Sequence, residues 1–134
     1  MHKQIFRYIL FIILSSTISV LAQDEKIYNK VDIPPKPSIG LKGWKKYLKD
    51  NLHYPEKAKD AKVEGTVLVQ FVVNEDGTIS APLILKGIGF GCDQEAQRLL
   101  KESPKWNPGE INQSNGTREK VKTRVTTPVR FVLD

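Results

Sequence analysis

Residues 65–80 read GTVLVQFVVNEDGTIS, and this stretch gives the clearest indication of the fold class. After Gly65 the apolar side chains repeat with a period of two, which predicts a β-strand. One face of that strand consists of Val67, Val69, Phe71 and Val73. Residues 74–77 are Asn-Glu-Asp-Gly, which tolerate the backbone angles of a tight turn, so the chain is expected to reverse there. We therefore predict a β-hairpin whose second strand starts at Ile79.

Two further segments show the same alternation. In the second strand of the hairpin the alternating residues are Ile79, Ala81, Leu83 and Leu85, and Pro82 favours an edge or irregular strand. In the last segment the apolar residues are odd-numbered, namely Val121, Val125, Val129, Phe131 and Leu133. We predict a third strand there and expect the odd-numbered faces of all three strands to meet one helical layer.

Helical spacing occurs on both sides of the hairpin. Leu41, Trp44, Tyr47, Leu48 and Leu52 recur at intervals of three and four, and Pro55 suits the start of a second short helix with Ala58 and Ala61. After the glycine-rich residues 87–91, Asp93 is predicted to cap a helix that carries Ala96, Leu99 and Leu100 on one face. Residues 107–120 are expected to form an exposed loop, with Trp106 folded onto the core. These elements predict an α+β fold, in which two or three helices cover one face of a small antiparallel three-stranded sheet.

The chain divides into three parts. In residues 1–22, Lys3 and Arg7 precede an unbroken apolar run from Tyr8 to Leu14, and a small-residue site follows at residues 20–22, which predicts a signal peptide cleaved after Ala22. The alternative is a short membrane anchor. Residues 23–40 contain three prolines and no apolar period, so we expect an extended lead-in that does not dock on the core. Residues 41–134 form the folded domain.

Composition limits the function classes. With 134 residues, of which 40% are hydrophobic and 27% charged, the chain is typical of one globular domain. Its net charge of +6 is spread out, with no lysine block longer than Lys45 and Lys46, so the case for nucleic acid is weak. Export from the cytoplasm would weaken it further.

No catalytic, cofactor or metal site is predicted. Residues 87–91 lack the Lys-Ser or Lys-Thr of a phosphate loop, and one cysteine with one or two histidines does not complete a zinc shell. Cys92 is the only cysteine, which excludes an internal disulfide. Its expected role is packing; the alternatives are an intermolecular or redox disulfide, or a nucleophile paired with His53.

Three stretches resemble the C-terminal domain of TonB energy transducers, in the form common in Bacteroidota. They read YPEKAKDAKVEGTVLVQFVVNEDGTIS, GIGFGCDQEAQRLLKESPKWNPG and TRVTTPVRFVL, within residues 41–133. The resemblance implies a small antiparallel sheet backed by helices. It also implies a periplasmic, non-enzymatic module that binds an extended segment near the N-terminus of TonB-dependent outer-membrane receptors, adding it as a strand beside its own last strand to support energised transport.

The chain departs from a full transducer at its N-terminus. Such a transducer has a spanning anchor, which engages a proton-channel motor, and a long Pro-rich arm. Residues 23–40 reach only about 55 Å even in extended polyproline geometry. The motor is therefore a partner only if residues 1–22 are retained, which would anchor the domain to the inner membrane facing the periplasm. The alternative function is a structural or interaction domain that binds cell wall or another envelope protein without transducing energy.

Pro128 locates the predicted binding edge. It has no N–H to give a neighbouring strand, so it is tolerated where that group would face outward on an edge strand. Main-chain direction alternates along a strand, so the predicted partner-binding positions are Lys122, Arg124, Thr126, Pro128 and Arg130. The hypothesis is that the receptor segment pairs with residues 122–127. The competing interpretation is an edge that is only solvated and protected by charge.

Overall fold

The computed structural model describes residues 25–134, so the predicted signal peptide or anchor at residues 1–22 lies outside the described residues. In chain order the helices and strands are β1 (Lys36–Pro37), α1 (Gly40–Asn51), α2 (Glu56–Asp60), β2 (Gly65–Val73), β3 (Ile79–Lys86), α3 (Cys92–Lys101), β4 (Trp106–Asn107), β5 (Gly109–Asn112), β6 (Arg118–Val121) and β7 (Thr123–Phe131).

The three long strands form the central sheet in the order β3-β2-β7, and both pairs are antiparallel. β2 and β7 pair without a register shift, from Gly65 opposite Phe131 to Val73 opposite Thr123. The predicted α+β class with a three-stranded antiparallel sheet is confirmed. Because β2 lies in the middle, β3 and β7 are the edge strands of this sheet.

The core lies between the helices and one face of the sheet. The odd-numbered residues of β2 and β7 that are buried there are Val67, Val69, Phe71, Val73, Val129 and Phe131. The helices contribute Trp44, Ala58, Ala96, Leu99 and Leu100 to the same cluster. Leu41, in the first turn of α1, is 69% exposed and does not belong to the core, contrary to the predicted stripe.

Trp106 connects the hairpin turn to the core, as predicted. Its ring lies 5.2 Å from the rings of Trp44 and Phe71, edge-on to both. Its backbone N–H donates to the carbonyl of Gly77 at 2.8 Å. Gly77 has φ +85°, and a Cβ there would collide with the Trp106 carbonyl, so the turn needs glycine for both space and backbone angle.

The prediction of which β3 side chains face the core is wrong beyond Ala81. Ala81 has φ +52°, and the pairing with β2 shifts there because three residues of β3 span two of β2. Such a bulge moves the side chains that follow it to the opposite face, here as far as a second shift opposite Leu68 and Val69. Ile84 therefore packs against the core, whereas Leu83 is 56% exposed. The prediction that Pro82 marks an irregular edge strand is confirmed.

Residues 107–120 do not form an exposed loop. β5 and β6 pair as an antiparallel hairpin, from Gly109 opposite Val121 to Asn112 opposite Arg118. The tip closes through a 2.8 Å bond from the N–H of Gln113 to the carbonyl of Thr117. Backbone pairing holds this hairpin, and few of its side chains are buried, so it has no apolar alternation that would have predicted strands.

The lead-in docks on the rest of the domain, contrary to prediction. β1 pairs with β4, and Pro37 is buried. Ile33 and Glu110 exchange two backbone hydrogen bonds, at 3.0 and 2.9 Å. These contacts use main-chain groups, which leave no periodic apolar signal in the sequence.

The cap of α3 also differs from prediction. Gly91, with φ +84°, occupies the N-cap position without a side-chain cap. The Asp93 carboxylate instead accepts the backbone N–H groups of Ile88 and Gly89, at 2.9 and 3.3 Å. The protein's own carboxylate thus bonds the N–H groups of the glycine-rich loop.

Candidate binding edge

The outer edge of β7 has the orientation that Pro128 predicts. The backbone N–H of Arg124 donates at 2.9 Å to a segment on the side away from β2. Main-chain direction alternates along a strand, so the main-chain groups of the other even-numbered residues also face away from β2. Pro128, opposite Leu68, is one of them, and its missing N–H therefore falls on the outer edge.

The side chains of these positions form a basic, exposed row. Arg124, Thr126, Pro128 and Arg130 are exposed, and Lys122 is half-buried. The intervening Thr123, Thr127, Val129 and Phe131 are buried. The row carries three cations, so the edge combines a hydrogen-bonding main chain with positive charge.

The lead-in occupies the first part of this edge. The N–H of Tyr28 donates to the carbonyl of Lys122 at 2.8 Å, and the carbonyl of Tyr28 accepts the N–H of Arg124 at 2.9 Å. The pairing is a parallel bridge between Tyr28 and Thr123. Among the predicted partner-binding positions, Lys122 and Arg124 therefore already have main-chain partners within the chain.

Two side chains of the lead-in bond to cations of the edge, and one of them is charged. Glu25 pairs with the Lys122 ammonium at 2.5 Å, and this hydrogen bond raises the pKa of Lys122. Asn29 accepts a hydrogen bond from the Arg124 guanidinium at 2.8 Å. Sequence reasoning missed both residues, and a polar stretch without periodicity gives no signal that would locate them.

The second part of the edge makes no such contacts. Between residues 25 and 134, no backbone bond joins the outward groups of Thr126, Pro128 or Arg130 to another segment. Thr126 and Arg130 each offer an N–H and a C=O, and Pro128 offers a C=O. These groups are an open template for an added strand.

A shallow cleft of about 380 Å³ lies beside the edge, where the lead-in leaves β7. Its lining combines apolar and cationic residues, namely Asn29, Lys30, Val31, Pro34, Pro35, Thr123, Arg124 and Val125.

The alternative chemical sites receive little support. Cys92 is buried, and burial raises the pKa of its thiol, which disfavours the reactive thiolate. The His53 side chain is exposed, and its backbone N–H donates to Glu95 at 2.7 Å. In the hairpin turn, hydrogen bonds from Thr78 lower the pKa of Asp76, as expected for a solvated turn. Within the described range, no three His, Cys, Asp or Glu side chains lie close enough to hold a metal ion.

The chain is a small α+β domain whose last strand has a basic outer edge with main-chain groups that are open from Thr126 to Arg130. The profile of the Gram-negative bacterial TonB protein C-terminal family matches residues 50–133, more than half of the chain. The chain belongs to this family, as its three quoted stretches suggested. Neither a curated protein nor a solved structure matches the chain significantly.

Family membership makes the domain a TonB-type module of the cell envelope, of the kind that acts in energy transduction and receptor interaction. Within residues 25–134, no helix has the length and apolar character needed to cross a membrane.

Proposed function

We propose that this domain binds an extended N-terminal segment of TonB-dependent outer-membrane receptors by adding it as a strand to the outer edge of β7. The observation that carries the proposal is the open main chain from Thr126 to Arg130, on the edge of a sheet that β2 and the core hold rigid. The segment would bond first to Thr126, and Pro128 would interrupt the ladder and help to set its register.

Charge supports an acidic or polar partner segment. Lys122, Arg124 and Arg130 lie along the edge, and the two that are already bonded hold a carboxylate and an amide oxygen. Main-chain bonds would supply affinity, and the cations would select among segments. Recognition of this kind needs no reactive side chain, so we propose that the domain is not an enzyme and that it acts in the periplasm.

Replacement of Thr126 by proline tests the edge. The variant lacks one outward N–H, and the receptor carbonyl that would bond there is left unpaired, at a cost of about 1–3 kcal/mol. We expect peptide binding measured by titration calorimetry to weaken about tenfold. Folding should be little affected because the inward ladder to β2 does not use this N–H.

Thr126→Val is the matched control, since it removes the hydroxyl but keeps the N–H. It should bind the receptor peptide as the unaltered domain does. Equal affinity of a folded Thr126→Pro variant and the Thr126→Val control would place the site elsewhere. Binding of cell-wall fragments with no binding of receptor segments would favour the structural alternative.

A further inference from the structure

Residues 25–29, which we call the resident strand, already make the contacts that an added strand would make. Tyr28 donates to the carbonyl of Lys122 and accepts from the N–H of Arg124. These two bonds complete a strand pairing on the outer edge of β7, on the opposite side from β2. The same two main-chain groups belong to residues 122–127, the stretch that the sequence predicts for pairing, and they adjoin the open edge at Thr126.

Side chains of the resident strand match the charge of the edge. Glu25 contacts Lys122, and Asn29 contacts Arg124, so each cation of this part of the edge has an oxygen acceptor. The ammonium of Lys26 lies 4.5 Å from the centre of the Tyr28 ring, within reach of a cation–π contact. The resident strand thus shows what chemistry the edge accepts: an extended main chain with a carboxylate opposite Lys122.

The resident strand is held more weakly than the rest of the lead-in. Only Tyr28 forms a bridge to β7, and Glu25 is largely exposed, where an ion pair contributes little. The later part of the lead-in is held separately, by the pairing of Ile33 with Glu110 and of β1 with β4. Residues 25–29 can therefore leave the edge without unpairing β1 or β7 from the sheets.

We propose that the resident strand competes with the partner segment for the edge at residues 122–124. The partner would bond first to Thr126 and then replace Tyr28, with its own acidic side chain taking the place of Glu25 at Lys122. This proposal rests on the proposed function for the identity of the partner. While the resident strand covers the edge, only the uncovered fraction of the protein can bind the partner segment, and the apparent affinity is reduced to that fraction of its intrinsic value. The lead-in therefore sets the concentration of partner segment that is needed for binding.

Tyr28→Pro tests the competition, since it removes the N–H donated to Lys122. Tyr28→Ala is the matched control, which removes the ring but keeps both main-chain bonds. Two quantities are measured in the full domain: hydrogen exchange of the Arg124 amide, and affinity for a synthetic receptor segment. We expect Tyr28→Pro to speed exchange at Arg124 about tenfold. We also expect it to tighten receptor binding by about three- to tenfold, and Tyr28→Ala to change both less.

Glu25→Gln is a second variant that leaves the backbone intact, and it should shift affinity in the same direction by a smaller factor. If Tyr28→Pro speeds exchange at Arg124 but leaves receptor affinity unchanged or weaker, the resident strand does not compete and the proposal is overturned. The same holds if exchange at Arg124 does not change, because a segment that stays on the edge without the Tyr28 N–H is not held loosely enough to be displaced by a partner.

A synthetic peptide with the sequence of residues 23–31 separates failure of this inference from failure of the proposed function. If this peptide binds the Tyr28→Pro variant and protects Arg124 while no receptor segment binds, the edge accepts the resident strand but the assigned partner is wrong. If the receptor segment binds and the peptide does not, even at high concentration, the resident strand is no competitor.

Discussion

Phe71 lies where the sheet, α1 and the Trp106 segment meet. Its ring is fully buried and contacts Trp106 edge-on at 5.2 Å. We expect Phe71→Ala to lower the free energy of unfolding by about 3–5 kcal/mol, because the lost contacts leave a cavity in a close-packed core. Urea denaturation followed by tryptophan fluorescence measures this directly.

Gln70 is the control for Phe71, since it lies on the other face of the same strand. Gln70→Ala should change stability by less than about 1 kcal/mol. Equal, mild effects of the two substitutions would mean that the facing of β2 is wrong.

Single residues differ in how well their roles could be predicted. Pro128 could be placed because a missing N–H restricts where a proline fits in a sheet. Tyr28 could not, because one tyrosine in a polar, Pro-containing stretch has no periodicity, and its contacts with β7 are main-chain bonds that any residue except proline could make.

Among the strands, β3 contains a bulge that changes which of its side chains face the core. The bulge at Ala81 places Ile84 against the core and exposes Leu83. We expect Ile84→Ala to cost about 2 kcal/mol and Leu83→Ala less than about 0.5 kcal/mol, measured by urea denaturation. The reverse order would support the simple alternation that the sequence predicts.

Elements with apolar periodicity were predictable, and elements held by the main chain were not. β2 and β7 alternate in sequence and pair as expected, and α3 carries its predicted buried face. The β5–β6 hairpin and the docked lead-in are held by backbone hydrogen bonds among polar residues and prolines. Side-chain patterns report burial, so they leave out contacts that bury little apolar surface.

Glu95, in a helix, is another residue whose burial the sequence pattern does not reveal. Its carboxylate bonds to Arg98 one turn away and accepts the N–H of His53, and Arg98 also donates to the carbonyl of Asn51 at 2.8 Å. This network ties the end of α1 to α3. The sequence shows Glu95 and Arg98 at a spacing typical of an exposed pair, so only the fold reveals that the carboxylate is buried.

For the whole molecule, the outer edge of β7 is the part of the central sheet that is covered in one stretch and open in another. β7 is bonded to β2 on one side, and on the other the lead-in covers residues 122–124 while Thr126 to Arg130 stay open. Sequence reasoning located this edge through Pro128 and the family resemblance. It could not show that the chain itself occupies the edge at Lys122 and Arg124.

Hydrogen exchange at the Thr126 amide tests whether the receptor segment adds to the outer edge of β7. The domain is saturated with a synthetic receptor segment, and exchange is followed by NMR. We expect exchange at Thr126 to slow at least about tenfold, because its outward N–H gains a strand partner. The inward N–H groups of Val125 and Thr127, already directed at β2, should change little. Bound peptide with unchanged exchange at Thr126 would mean that the segment does not add to this edge.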